Sequence, residues 1–296
     1  MKAKSLIYVL GFRPKPRTYG FEVRSFDLPE DGRVEYARWL HPLESEKALT
    51  QESVDELRTF LRPGDAAIDI GAHTGDSTLP IALAVGAAGR VFALEPNRFV
   101  FPVLEKNAQL NPGRTAIVPL MFAATEHDGR RDFDYSDPGF CNGGCHEGQS
   151  LWRHAHAFRQ SVEGKNLPSY LGRHHAEWLS KIRYIKVDAE GNDLAVLKTL
   201  EGLLVRCRPY VKAEVYKHTT RAQREELLEF LRGHRFAVHR VESESRYRGE
   251  RVDAAGVMRW RHFDVFCVPE ELGAAAESGA RDGRATDAKA PEGATR

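Results

Sequence analysis

Ile68-Asp69-Ile70-Gly71-Ala72-His73-Thr74-Gly75-Asp76 is the stretch whose reading decides the fold. An apolar strand, Ala66 to Ile70, runs into a glycine-bearing turn and then straight into a compact helix, Thr78 to Val85. Gly71 and Gly75 carry no Cβ, so the backbone there turns sharply and can approach a ligand closely. The helix start beyond them presents unpaired amide hydrogens. In open α/β sheets such a turn lies outside the carboxyl ends of the strands, where ligands bind.

The glycines fall as G-x-x-x-G and not as G-x-G-x-x-G, so the dinucleotide fingerprint is not spelled out. Asp69, at the strand end, is badly placed beside a pyrophosphate. It suits a ligand whose nearby group is cationic or donates hydrogen bonds, and an amino acid attached to a sulfonium answers that description. A strand-turn-helix that binds nothing remains the bland alternative.

Outward from this turn the chain alternates strand and helix in the manner of a parallel α/β sheet. Arg90 to Leu94 reads as the second strand, Phe99 to Leu110 as the next helix with Pro102 in its first turn, and Ala116 to Ala123 as the third strand. Ile182 to Val187 and Tyr210 to Val215 read as further strands, each followed by a helix, Asp193 to Leu204 and Arg221 to Arg232. Phe236 to Val241 and Phe263 to Val268 close the series. Before the turn, Tyr19 to Asp27 and Arg33 to His41 form an expected N-terminal β-hairpin around Pro29-Glu30-Asp31-Gly32. Thr50 to Leu61 is an expected helix that Thr50 caps. Residues 1–272 therefore read as one domain and 273–296, poor in large apolar residues, as a disordered tail.

The strand ends carry the chemistry. Val91-Phe92-Ala93-Leu94-Glu95-Pro96-Asn97 ends in a carboxylate about 24 residues past Gly71, placed to accept both hydroxyls of a ribose. After the third strand, Glu126 can take an adenine amino group, or belong to an ordinary turn. Tyr184-Ile185-Lys186-Val187-Asp188-Ala189-Glu190-Gly191 gathers a lysine and two carboxylates at one strand end. Three roles compete there. Asp188 or Glu190 takes a proton from an attacking hydroxyl, the acids help hold a divalent metal, or they pair with Lys186 as structure. Nothing else spells a metal site, so no metal ligand is assigned.

These segments, with Leu104-Glu105-Lys106-Asn107, Leu110-Asn111 and the continuation Asn192-Asp193, resemble the FkbM-type methyltransferase family from about Gly64 to Val241. The resemblance implies a Rossmann-like class I methyltransferase fold: α/β, with a mostly parallel seven-stranded sheet whose last strand is antiparallel. It implies S-adenosylmethionine over the first two strands and O-methylation, often of sugars or secondary metabolites. Carried over by position, Asp69, Gly71 and Gly75 contact the amino acid half of the cofactor and Glu95 the ribose, with His73, Thr74, Pro96 and Asn97 alongside. Lys186, Asp188 and Glu190 match the acceptor-side motif. His73 and Thr74 depart from the family's more usual asparagine and aliphatic residue.

Bulk properties narrow the partners. With 43 basic and 42 acidic residues the net charge is +1, so no overall field draws the chain to nucleic acid or anionic lipid. Leu6 to Leu10 is too short for a signal-peptide core or a membrane span, which needs about 18 apolar residues. Four cysteines, Cys141, Cys145, Cys207 and Cys267, read as free thiols, and the expected compartment is cytoplasmic. The stretch from Asp134 to Glu177, after the third strand, reads as an inserted lid from which Asn142 and Gly143 touch cofactor or acceptor. Cys141, Cys145, His146, His154 and His156 make a loose alternative zinc pattern there. Trp152, Phe158 and Trp178 read as lid packing ahead of sugar platforms, and His175 and His218 as surface residues ahead of bases. The expected partner is a small-molecule or sugar acceptor. The rival readings are a nicotinamide-dependent oxidoreductase, opposed by the glycine spacing, and a non-catalytic ligand-binding protein that kept the fold.

Overall fold

The structure, a computed structural model, describes residues 17–135 and 158–272. It opens with an antiparallel hairpin, β1 (Phe21–Leu28) and β2 (Gly32–Trp39), in register from Phe21 opposite Trp39 to Leu28 opposite Gly32. Helix α1 (Gln51–Arg58) follows, its first turn capped where Thr50 Oγ1 accepts the Ser53 amide at 3.3 Å. The sheet then begins with β3 (Ala66–Ile70), α2 (Thr78–Val85), β4 (Arg90–Leu94), α3 (Phe101–Gln109) and β5 (Ile117–Leu120). A small second sheet is formed by β6 (Ala123–Ala124), β7 (Gly129–Tyr135) and β8 (Phe158–Lys165). The chain continues through α4 (Leu167–His174), a 3₁₀ turn (Ala176–Lys181), β9 (Ile182–Val187), α5 (Asp193–Thr199), α6 (Glu201–Cys207), β10 (Tyr210–Val215), α7 (Arg221–Gly233), β11 (Phe236–Arg240) and β12 (Phe263–Pro269).

The main sheet has seven strands in the order β5-β4-β3-β9-β10-β12-β11. β12, last along the chain, runs antiparallel to both neighbours, while the pairings among β5, β4, β3, β9 and β10 are parallel. The order reverses between β3 and β9, which puts a crevice at their carboxyl ends. β3 is buried at every position because helices cover both faces, and α2 is buried along its whole length between the sheet and the hairpin layer.

The hairpin is fastened to this core by side chains. Asn107 Oδ1 accepts the Ala37 amide at 2.6 Å, and its Nδ2 donates to the carbonyls of Ala37 at 3.0 Å and Thr74 at 2.7 Å. Asn111 repeats the arrangement on Glu35, accepting its amide and donating to its carbonyl, both at 2.8 Å. At the far edge, buried Arg224 donates to the carbonyls of Tyr216, Val257, Trp260 and Arg261 and so shapes the connection between β11 and β12.

Two expectations about elements need correcting. The helix expected from Asp193 to Leu204 is two helices that meet at Leu200. Thr199 Oγ1 bonds back to the Val196 carbonyl at 2.7 Å, and the bend keeps Leu197, Leu200, Leu203 and Leu204 all on the sheet. The third strand, expected to run to Ala123, leaves the main sheet after Leu120, because Ala123 and Ala124 pair with Gly164 and Lys165 instead. Within the stretch read as a lid, the described residues form β8, paired antiparallel to β7, and α4, capped where Asn166 Oδ1 accepts the Ser169 amide at 3.0 Å. Its cysteines and its residues Asn142, Gly143, His146, Trp152, His154 and His156 lie outside the described residues, as do Leu6 to Leu10 and the tail from Gly273. Among the described residues no helix is long and apolar enough to cross a membrane.

Candidate active site

At the carboxyl ends of β3, β4 and β9 the structure opens a cleft of about 1170 Å³. Its floor is the turn after β3. Gly71 has φ +76° and Gly75 φ +93°, a region that disfavours side chains. A Cβ on Gly71 would lie 2.1 Å from the Asp188 carbonyl oxygen, so the β3 and β9 strand ends touch only because this residue is glycine.

Glu95 closes the end of β4. Its side chain lines the cleft although the residue is only 4% exposed. Oε1 accepts the Asn97 amide at 2.7 Å and Oε2 the His73 amide at 3.0 Å. Burial raises its pKa to about 7 even though both amides favour the ionised form. His73 and Pro96 line the same half of the cleft. His73 has φ +51°, and burial lowers its pKa to about 4, so the imidazole is neutral at ordinary pH.

Lys186 stands at the centre. Its ammonium lies 3.1 Å from Asp69 Oδ1, 3.4 Å from the Gly71 carbonyl and 3.6 Å from Asp188 Oδ2. Burial works against its charge, but Asp69 and then Asp188 hold its pKa above the ordinary lysine range. Asp188, whose amide bonds the Ile70 carbonyl at 3.0 Å, and Glu190, with φ +50°, both line the cleft. Burial and then the neighbouring Asp188 charge raise Glu190 to about 7. Burial also raises Asp188, against the pull of Lys186. A carboxylate poised near neutrality at the cleft wall is suited to accepting a proton.

Four residues expected to meet the cofactor face elsewhere. Asp69 is fully buried, and its Oδ2 accepts the hydroxyls of Ser77 at 2.8 Å and Thr78 at 2.7 Å while Oδ1 takes Lys186. It fastens the start of α2 to β3 and neutralises Lys186, so its carboxylate is fully engaged inside the protein. Thr74 is buried with its hydroxyl 2.5 Å from Tyr36 OH. Gly75 packs on α3, where a Cβ would lie 3.1 Å from Leu104. Asn97 is buried and accepts the Phe99 amide at 3.0 Å, shaping the turn after β4. Glu126 lines the mouth of the cleft with an exposed side chain. His175 packs at a tilt against Phe92 with ring centroids 4.9 Å apart, and Trp178 contacts both Arg90 and Lys181. Neither lines the cleft, and neither does His218.

The cleft also recruits residues that motif reading overlooks. Phe122 and Val196 supply apolar surface to the cleft. Lys47, between the hairpin and α1, bonds Asp76 Oδ2 at 2.8 Å and lies 3.5 Å from Glu44. Lys212 on β10, one strand over from Lys186 and in register with it, binds Glu244 at 2.6 Å and Asp264 at 3.2 Å. The available signal was the pair Lys212 and Glu214 inside an otherwise apolar strand, since charges in a buried strand need partners.

A family model described as the methyltransferase FkbM domain matches residues 69–242. Among solved structures, similarity is found to methyltransferase FkbM from Methylobacillus flagellatus KT, 15% identical, with a TM-score of 0.41, covering 72% of this chain and 50% of that one. This chain thus spans about half the length of that protein. Aeropyrum pernix fibrillarin with natively bound S-adenosyl-L-methionine is 9% identical, with a TM-score of 0.39, covering 86% and 99% of the two chains. An rRNA methylase from Streptococcus thermophilus is 13% identical, with a TM-score of 0.39, covering 73% and 93%. No curated protein matches the chain.

Proposed function

The chain belongs to the FkbM methyltransferase family, and from that membership we propose that its cleft binds S-adenosylmethionine beside a hydroxyl-bearing sugar or small molecule and methylates an oxygen of that acceptor. The observation that carries the proposal is Glu95, a buried carboxylate at the end of β4 with each oxygen fixed by a backbone amide and the cleft before it. A carboxylate ending the second strand of the sheet, with its two oxygens held in place, suits the paired hydroxyls of a ribose.

When bound, S-adenosylmethionine supplies a sulfonium methyl that is already electrophilic, so the protein has to align the partners and remove a proton. Gly71 lets the amino acid half lie against the backbone, while His73 and Pro96 flank the ribose. Phe122 and Val196 sandwich the adenine, with Glu126 at its edge. Glu190, near neutrality in its pKa, takes the acceptor's proton. Asp188 and Lys186 fix the strand end from which Glu190 projects. Lys186 is already committed to Asp69 and Asp188, so it acts by positioning.

The test is calorimetric titration with S-adenosylmethionine, S-adenosylhomocysteine and NAD, with and without Mg²⁺. Binding of the first two and not NAD is expected. Binding of NAD alone would return the oxidoreductase reading, and binding of none would leave a protein that has lost its ligand.

A further inference from the structure

The cleft of about 1170 Å³ exceeds the roughly 300–1,000 Å³ of a single small-molecule site. The half that holds Gly71, Glu95, Asp188 and Glu190 is built from residues within the family-matched segment, 69–242. Part of the remaining lining is not. Glu44 and Lys47 precede that segment, and Glu244, Tyr247 and Asp264 follow it. The two flanking pieces are joined to each other, because the Tyr247 amide donates to Glu56 Oε1 on α1 at 2.7 Å. Tyr247 also packs against Phe60 and Phe266, with ring centroids 6.0 and 5.4 Å away. This part of the lining, around Tyr247, is therefore a fixed surface.

At its centre Lys212 has a side chain only 5% exposed, whereas Glu244 keeps 63% of its side chain exposed at the cleft surface. Lys212 Nζ holds Glu244 Oε1 at 2.6 Å, and the Tyr247 hydroxyl donates to Oε2 at 3.0 Å. Both oxygens are thus oriented, and both retain lone pairs toward the cleft. Lys212 sits one strand spacing, about 4.8 Å, from the strand that ends in Asp188. Among the described residues, Lys47 is paired with Asp76 and Lys212 with Glu244 and Asp264, so neither lysine is left to hold an anionic acceptor.

We propose that Glu244, held by Lys212 and Tyr247, is the specificity-determining residue that accepts hydrogen bonds from hydroxyls of an uncharged polyhydroxylated acceptor and so selects which hydroxyl reaches the methyl group. The proposal rests on the methyl-transfer reading of the cleft. Although burial alone would raise the pKa of Glu244, Lys212 pulls it below the ordinary range, which suits a hydrogen-bond acceptor and not a proton acceptor. Glu190 and Glu244 thereby divide the chemistry, one taking the proton and the other fixing the ring.

The experiment is an NMR titration of the full chain, saturated with S-adenosylhomocysteine, with a panel of methyl glycosides of hexoses and 6-deoxyhexoses. The wild type, Glu244→Gln and Tyr247→Phe are compared, and thermal melting verifies that each variant folds. Wild-type binding of at least one glycoside is expected, weakened about tenfold or more in Glu244→Gln and less in Tyr247→Phe, with S-adenosylhomocysteine affinity unchanged. Equal glycoside affinity in Glu244→Gln and wild type would overturn the assignment. So would a wild type that binds S-adenosylhomocysteine and none of the glycosides. Failure to bind S-adenosylhomocysteine would instead bring down the methyl-transfer reading, and this proposal with it.

Discussion

Replacing Glu95 with glutamine keeps the shape of the β4 end and removes its charge. At a pKa of about 7 the wild-type carboxylate is mostly protonated at pH 6 and mostly ionised at pH 8. If ribose hydroxyls bind the ionised form, wild-type affinity for S-adenosylhomocysteine rises about tenfold between those pH values, one unit of pKa being about 1.4 kcal/mol. The substitution removes hydrogen bonds to a charged group, worth about 1.5–3 kcal/mol, so Glu95→Gln binds about ten- to a hundredfold more weakly at pH 8. Its affinity should also be flat from pH 6 to 8. The amide nitrogen must face either the His73 or the Asn97 amide, two donors together, so some loss of melting temperature is expected and is measured alongside. The assay is isothermal calorimetry at pH 6, 7 and 8 for both proteins. A variant that binds like wild type at pH 8, or that keeps the wild-type pH slope, refutes the reasoning.

Glu190→Gln should remove the rise in turnover with pH centred near 7 that the wild type shows, with S-adenosylhomocysteine affinity retained; a pH profile unchanged by the substitution would reassign the base. Lys186→Met leaves Asp69 fully buried with only the Ser77 and Thr78 hydroxyls for partners, and should cost about 3–5 kcal/mol in urea unfolding. Glu95, Glu190 and Asp193 are raised to about 7, 7 and 8, each above its unfolded value. Their contribution to stability is therefore full below about pH 4 and is lost as pH rises through 7 to 8. The unliganded protein should melt at a lower temperature at pH 8.5 than at pH 5.5, and a melting temperature that rises over this interval would contradict the burial of these acids.

Much of this fold is legible because its strands are short apolar runs punctuated by glycine, proline and acids. Ala66–Ile70, Arg90–Leu94, Ile182–Val187 and Tyr210–Val215 begin and end where the pattern says. Phe158–Lys165 is harder to see, because a strand reading Phe-Arg-Gln-Ser-Val-Glu-Gly-Lys owes its place to pairing with β7 and not to an apolar face. Within the site, Glu95, Asp188 and Glu190 are legible as acids that end buried strands. The role of Asp69 is not. Position alone puts it near the ligand, and only the fold reveals that Lys186, 117 residues later, turns it inward. Glu244 is likewise invisible to motif reading, since it has meaning only once β10 and the β11–β12 connection are brought together, and Lys212 shows itself only as a charge inside an apolar strand.

The two asparagines that grip β2 have a consequence of their own. A primary amide carries its carbonyl oxygen and one of its two N–H bonds side by side, as a strand residue carries its own C=O and N–H, so Asn107 and Asn111 imitate successive rungs of a missing strand, on Ala37 and Glu35. Along an antiparallel strand only alternate residues turn their N–H and C=O groups away from the partner strand. The hairpin can therefore seat on the helix only in jumps of two residues, as a rack engages a two-toothed pawl. A slip of one position would leave both amides facing nothing. That edge of β2 is closed to strands from other molecules for the same reason. The aromatic residues beneath it are delivered to one address: Tyr36 to Thr74 and Trp39 to His73, both on the turn that floors the cleft.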